Sequence, residues 1–287
     1  MNSIEVHYSP KQVSCPESDS ITPRKPAWVV EDWLSQNLPV TVVEPLPVTR
    51  EQLLLAHTPD YVDGVLNCTL ANGFGSYEKE VADSLPWTCG SLLSAARAAL
   101  NNRQVACSPS SGFSHAGPDY SHRGCTLNGL MVAAMALKAE GKAQRVGILN
   151  CDYHYGGGTA DIMHLRGTQW IRVFSQTSWK SDDAKPYLAR LVNLVGQFED
   201  CDLLIYQAGA NQHIDDDCGG FLTTAELALR DKIVFTVAKT MGLPVVWNLA
   251  GGNPKEVWNL AGGYQSGVPH LLELHRNTMA ACIAAYL

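Results

Sequence analysis

Leu149-Asn150-Cys151-Asp152-Tyr153-His154-Tyr155-Gly156-Gly157-Gly158 is an apolar run that breaks into glycines, with a carboxylate and an imidazole two residues apart at the break. In extended backbone, residues i and i+2 point to the same side, so Asp152 and His154 can close on one metal ion from a single element. That is half of a metal site. Alone, an Asp-x-His triplet is weak, because such pairs are usually solvated loop residues or a hydrogen-bonded couple. Its weight depends on what the rest of the chain brings to the same place.

The run belongs to a series. Segments 40–43, 104–107, 145–151, 170–174, 202–207 and 243–249 are short stretches rich in Val, Ile or Leu, most of them followed closely by Gly, Pro, Ser or Asn, as buried strands are. Helical patterns lie between them at 51–67, 86–101, 126–140, 185–199, 223–241 and 271–286. Thr223 with Glu226 has capping-box spacing, and Gly141 and Gly242 stand where helices should stop. This alternation predicts an α/β fold, a mainly parallel central sheet flanked by helices on both faces, with ligands bound beyond the carboxyl ends of the strands. The candidate chemistry falls at those ends. With 287 residues, 46% hydrophobic and 17% charged, and no low-complexity linker, residues 1–287 read as a single domain.

Composition excludes other classes. A net charge of −7 without runs of Lys or Arg argues against nucleic acid as a partner, and any acidic substrate requires a local exception to that charge. The nine cysteines contain no CxxC pair and sit mostly in apolar segments, which fits reduced thiols in a cytoplasmic protein. No stretch approaches a membrane span, and the N-terminus lacks a signal-peptide pattern. A homo-oligomer is left open. Gly156-Gly157-Gly158-Thr159 lacks the spacing and the lysine of a phosphate-binding loop. His57, His164, His270 and His275 fall in helical or connecting segments and read as surface or core histidines without a role.

Four strand ends can be compared: Ser110-Ser111-Gly112-Phe113-Ser114-His115-Ala116; the segment carrying Asp152 and His154; Ala208-Gly209-Ala210-Asn211; and Gly262-Gly263-Tyr264. With Ala56-His57-Thr58-Pro59-Asp60-Tyr61-Val62, their order resembles the arginase-fold, zinc-dependent deacetylase superfamily, which includes histone deacetylase-like and acetylpolyamine amidohydrolases. The resemblance implies a Zn²⁺ ion that polarises an amide carbonyl and acidifies a bound water, a histidine base, and a tyrosine that donates to the oxyanion. Carried over by motif, Asp152 and His154 are metal ligands and the third ligand position falls on Asn211. His115 is the base and Tyr264 the oxyanion donor. Phe113, Phe74, Tyr77 and Gly156 fall on the substrate-facing set, with segment 71–77 at the channel rim.

Three carboxylates of the family pattern are missing. Asn211 stands for a ligand aspartate, Asn150 for the acid supporting the first histidine of a tandem pair, itself Ser114, and Gly157 for the partner of the second. Losing such supporting partners typically costs about 10–100-fold in metal affinity or activity. Asp215, Asp216 and Asp217 follow closely and read either as solvated loop acids or as substitute ligands. A further anomaly is that Val246-Trp247-Asn248-Leu249-Ala250-Gly251-Gly252-Asn253 recurs as Val257-Trp258-Asn259-Leu260-Ala261-Gly262-Gly263-Tyr264. The first copy follows a helix stop and has the better claim to the last strand; the second carries the tyrosine. The expected activity is a divergent metal-dependent amidohydrolase acting on an acylated lysine, polyamine or small metabolite. The alternative is a catalytically impaired binding protein on the same fold.

Overall fold

Among the described residues, seven parallel strands form one sheet whose spatial order, 40–43, 4–7, 105–108, 245–250, 203–209, 146–150 and 171–175, places the chemistry-bearing strands next to each other. A computed structural model describes residues 2–17, 20–175, 183–216, 220–251 and 267–287. The strands are β1 Ile4–His7, β2 Val40–Val43, β3 Val105–Ser108, β4 Val146–Asn150, β5 Ile171–Ser175, β6 Leu203–Gly209 and β7 Val245–Ala250. The first copy of the repeated motif therefore forms β7, the last strand among the described residues. The second copy, with Tyr264, lies outside the described residues, as does Asp217.

Alternation along the strands builds two cores. Leu149, Tyr206, Val245, Trp247 and Leu249 face one side of the sheet with α1 Lys25–Ser35, α7 Ala184–Gly196, α8 Thr224–Thr240 and α9 Val268–Tyr286. Ile148, Ile205 and Val246 face the other side with α2 Arg50–Ala56, α3 Pro59–Leu66, α4 Lys79–Asn102 and α5 Gly129–Ala139. A sheet covered on both faces needs apolar residues at nearly every strand position, which is why the strands read as continuous apolar runs. At the carboxyl edge the pattern changes. Ser108, Asn248, Gln207 and Asn150 stand side by side in register and are all buried.

Several elements differ from the sequence expectation, each for a physical reason. β1 was not anticipated because Ile-Glu-Val-His is only four residues long and half polar; it gains its place by pairing with both β2 and β3. Segment 51–67 is two helices, because Pro59 holds Thr58 extended (φ −77°, ψ 151°). α4 begins at Lys79, upstream of Pro86, and buries Val81, Ala82 and Leu85 in the added turns. α1 packs Val29, Val30 and Trp33 onto the core, with the Trp33 and Trp247 rings 5.7 Å apart. The glycines after His154 open α6 Gly157–Arg166 rather than a loop. A Cβ on Gly158 would sit 2.3 Å from the Ala116 carbonyl oxygen, so only glycine lets this helix approach the His115 segment. The capping box at Thr223 and Glu226 is present, and Gly141 (φ +70°) and Gly242 (φ +66°) end their helices as expected. Among the described residues no helix is long and apolar enough to cross a membrane.

His57 is fully buried at the break between α2 and α3. Its Nδ1 pairs with the Gly117 carbonyl (2.9 Å) while Nε2 accepts from the Asn128 N–H (2.9 Å), which fixes a neutral tautomer. Burial pulls its pKa from 6.5 down to about 4, although the Gly117 and Pro118 carbonyls work in the opposite direction. The unfolded chain therefore binds a proton between pH 6.5 and 4 that the folded chain refuses, so stability falls as pH drops through that window. The loss attributable to His57 is about 3 kcal/mol. Urea unfolding of wild type and His57→Gln at pH 7 and pH 4.5 should show a smaller acid loss in the variant; equal losses would remove His57 as the cause.

Candidate active site

Past the last residue of β4 the chain turns, and Asp152 and His154 come together in an arrangement tighter than strand geometry alone provides. The His154 Nδ1 lies 3.1 Å from Asp152 Oδ1, and the His154 backbone N–H donates to the same oxygen at 2.8 Å. Donor atoms of His115, Asp152 and His154 all lie within 4.8 Å of one another. The His115 and His154 rings meet edge to face at 5.8 Å. These groups line a cavity of about 110 Å³ together with Phe113, Arg123, Gln207, Asn211 and Gly251.

Asn211 sits at the third ligand position, in a 3₁₀ turn directly after β6. Its orientation follows from a backbone donor: Oδ1 accepts from the Tyr153 N–H (2.9 Å), so Nδ2 points toward Asp152 Oδ1 (3.0 Å) and His154 Nδ1 (3.2 Å). The amide nitrogen thus fills the corner where a third oxygen ligand is needed. Gly251 (φ +53°) makes room for it, since a Cβ there would fall 2.4 Å from Asn211 Cγ. Burial alone would raise the Asp152 pKa. The hydrogen bonds from His154 and Asn211 outweigh that and hold the carboxylate below its ordinary value.

A neutral chain runs behind these groups. Asn150 Oδ1 accepts from the Asp152 N–H (3.0 Å) and from Gln207 Nε2 (2.7 Å), while Asn150 Nδ2 donates to Ser175 Oγ (3.0 Å). Gln207 Nε2 also reaches Ser114 Oγ at 3.4 Å. Every member is an amide or a hydroxyl, so this chain places no buried charge behind the site, and Gln207 Oε1 is buried without a hydrogen-bond partner among the described residues. Among the described residues, His115 donates no hydrogen bond to a carboxylate. Burial lowers its pKa, Asp152 acts against that, and His154, Arg123 and His122 add to it, so the ring is neutral and free to accept a proton at pH 7.

Beneath the cavity lies Lys25, fully buried, which was not singled out in the sequence. Its ammonium donates to the Gly251 carbonyl, and burial lowers its pKa to about 8 against the pull of Asp152, Asp216 and Cys125. Asp216 is buried beside it, not a solvated loop acid, whereas Asp215 is exposed. Arg230, also fully buried, donates to the Gly209 carbonyl (2.6 Å), the Cys151 carbonyl (3.4 Å) and Gln212 Oε1 (2.9 Å) while its Nε pairs with Asp231 (2.8 Å). No motif flags either cation; a charged residue at a core-facing position of an apolar helix is the signal that could have found them.

The remaining residues expected to face a substrate separate. Phe113 is buried in the cavity wall, and Phe74 lines an adjoining cavity with Gly124 and Phe113. Tyr77 is 60% exposed and lines neither cavity. Gly156 is buried at the start of α6, where its N–H donates to Ser175 Oγ (3.0 Å). His213 and His270 form a second histidine pair near Asp215, but His213 Nδ1 already accepts the Asp215 N–H at 3.1 Å.

A sequence model described as "Histone deacetylase domain" matches residues 23–176, more than half of the chain. The chain belongs to the histone deacetylase domain family. It is similar to an uncharacterized protein of Picosynechococcus sp., 29% identical over 80% of this chain and 83% of that protein. Acetylpolyamine amidohydrolase 2 of Pseudomonas aeruginosa is 34% identical over 49% of this chain and 40% of its own length. Two solved structures share the fold at 16% identity. The HDA15 HD domain aligns with a TM-score of 0.79 over 100% of this chain and 91% of its own. Acetylpolyamine aminohydrolase from Burkholderia pseudomallei aligns at 0.69 over 99% of both. The expected arginase/deacetylase fold is thereby established, and three of the strand-end segments, those carrying His115, Asp152 with His154, and Asn211, converge on the cavity described above.

Arg230→Leu should destabilise the protein by about 3–5 kcal/mol, because it strands a buried Asp231 and leaves strand-end carbonyls without a donor. Chemical denaturation checks this; a loss below about 1 kcal/mol would mean that the strand ends do not depend on the guanidinium.

Proposed function

We propose that the protein is a divergent zinc-dependent amidohydrolase that removes an acyl group from an amine. The observation that carries this reading is the convergence of Asp152, His154 and a neutral His115 in one cavity, since a passive pocket has no chemical need for two metal donors and an accessible base. The donor set fits zinc at two corners through Asp152 Oδ1 and His154 Nδ1. The third corner fits once the Asn211 amide turns over, bringing Oδ1 inward and releasing the Tyr153 N–H. Zinc held there supplies Lewis-acid polarisation of the amide carbonyl and an acidic water.

The chain's own residues do the rest. His115 accepts the proton that leaves the attacking water and passes it to the departing amine, which its lowered pKa permits at neutral pH. Phe113 excludes bulk water from the cavity wall. Tyr264, from the second copy of the repeated motif, is the oxyanion donor in this reading. The Ser114–Gln207–Asn150 chain orients Asp152 through its backbone N–H and adds no negative charge behind the histidines. The impaired-enzyme alternative rests on that same chain, because neutral partners tune imidazoles less strongly than carboxylates do.

Asn211→Asp separates the two readings. It places a second carboxylate 3.0 Å from Asp152 Oδ1, where an amide hydrogen bond now stands. The metal-free variant should be less stable than wild type by about 1–3 kcal/mol, bind zinc more tightly, and regain that stability when zinc is added. Calorimetric zinc titration, thermal melts with and without chelator, and release of acetate from acetylated amines form the test. Unchanged zinc affinity would remove Asn211 from the ligand set. Absence of turnover in both proteins, with zinc bound, would favour the impaired-enzyme reading.

A further inference from the structure

The turn at residues 122–125 holds an arginine in a backbone conformation that favours glycine. The His122 N–H donates to the Cys125 carbonyl (3.0 Å) and the Cys125 N–H to the His122 carbonyl (2.9 Å), closing a two-residue turn. Both central residues, Arg123 (φ +47°) and Gly124 (φ +74°), are left-handed. That is the hairpin turn in which Asn-Gly or Gly-Gly is preferred, and an arginine at its first position is strained. The turn is also clamped, because the Gly124 N–H donates to the Gly73 carbonyl (2.9 Å) and the Gly73 N–H to Thr126 Oγ1 (2.8 Å). The arginine is thus fixed at a place where its backbone is unfavourable, which needs a reason.

Its side chain supplies one. Arg123 lines the same cavity as His115, Asp152, His154 and Asn211, and its charge acts on His115. It is exposed and, among the described residues, forms no ion pair. Asp152 is the only carboxylate among the described lining residues, so a divalent ion there would leave the cavity with a net positive charge. A cavity of about 110 Å³ has room for a short acyl group beside the buried donors, and an amine half directed toward solvent would meet the exposed Arg123. This is the local exception that a protein of net charge −7 requires for an acidic ligand.

We infer that Arg123 is a specificity-determining anion subsite, and that the substrate is a short-chain acyl amide whose amine half carries a carboxylate, as in an acylated amino acid. The inference deepens the amidohydrolase reading and rests on it for the position of the reacting amide. The guanidinium receives the carboxylate through paired N–H donors, a geometry that lysine or histidine would not match. A cationic acylpolyamine is disfavoured by the same charge.

The test compares N-acetyl-4-aminobutyrate, N-acetylbutylamine and N-acetylputrescine on the zinc-treated protein. The readout is kcat/KM where the amides are hydrolysed and Kd from NMR titration where they are not. Wild type should prefer the anion over the neutral amide by about 10–100-fold, and the ratio should collapse toward one in Arg123→Gln and Arg123→Gly. The glycine variant relieves the left-handed backbone and should melt no lower than wild type, which separates loss of the subsite from loss of the fold. A wild-type ratio near one, a preference for N-acetylputrescine, or a ratio that survives in both variants would overturn the inference. Anion preference without hydrolysis would overturn the amidohydrolase reading and leave the subsite standing.

Discussion

A single buried guanidinium ties together the strand ends on which the site is built. Arg230 projects from α8 under the carboxyl ends of β4 and β6 and donates to the carbonyls of Cys151 and Gly209, the residues just before Asp152 and just before the Asn211 turn. Asp231 balances its charge, and Asp231 in turn accepts from Tyr206 on β6 and from Thr278 on α9 (2.6 Å). Such a fully buried pair is a weak source of net stability, because desolvation consumes most of its Coulombic attraction. Its value here is geometric. It fixes the relative position of two strand ends whose side chains must meet within hydrogen-bond distance.

The site exchanges charge for hydrogen-bonded amides. Where the family resemblance implies carboxylates, Asn150 and Asn211 make directed bonds whose orientations are set by backbone N–H groups of Asp152 and Tyr153. Asn211 in particular satisfies Asp152 and His154 simultaneously. The consequence is that Asp152, His154 and Asn211 already pair with one another, so a metal entering as proposed would have to displace those hydrogen bonds. Two carboxylates facing each other would instead be destabilised until a cation arrived. Lys25 acts in the same sense from below by offsetting the charges of Asp152 and Asp216.

Most of the sheet was legible from apolar runs, because strands buried on both faces have little choice of residue. β1 was not, since a short half-polar strand gains its stability from its two neighbours rather than from its own composition. Likewise α6 was hidden by glycines that serve backbone approach to Ala116 and not flexibility. In the site, Asp152 and His154 could be picked out because metal chemistry restricts residue type and spacing, and His115 because its segment resembles the family motif. Gln207, Lys25 and Arg230 could not, because a buried polar residue is defined by what it touches, and its partners are distant in sequence. The amide orientation of Asn211 was equally out of reach, since it is decided by the Tyr153 N–H.

The proposed activity requires zinc bound by Asp152, His154 and an inverted Asn211, with His115 left free. X-ray absorption at the zinc edge, on protein carrying one equivalent of the metal, tests this directly. A first shell of oxygen donors with a single imidazole is the predicted result. Two or more imidazoles would contradict it, by making His115 a ligand rather than a base or by moving the ion to His213 and His270, and so would a sulfur ligand.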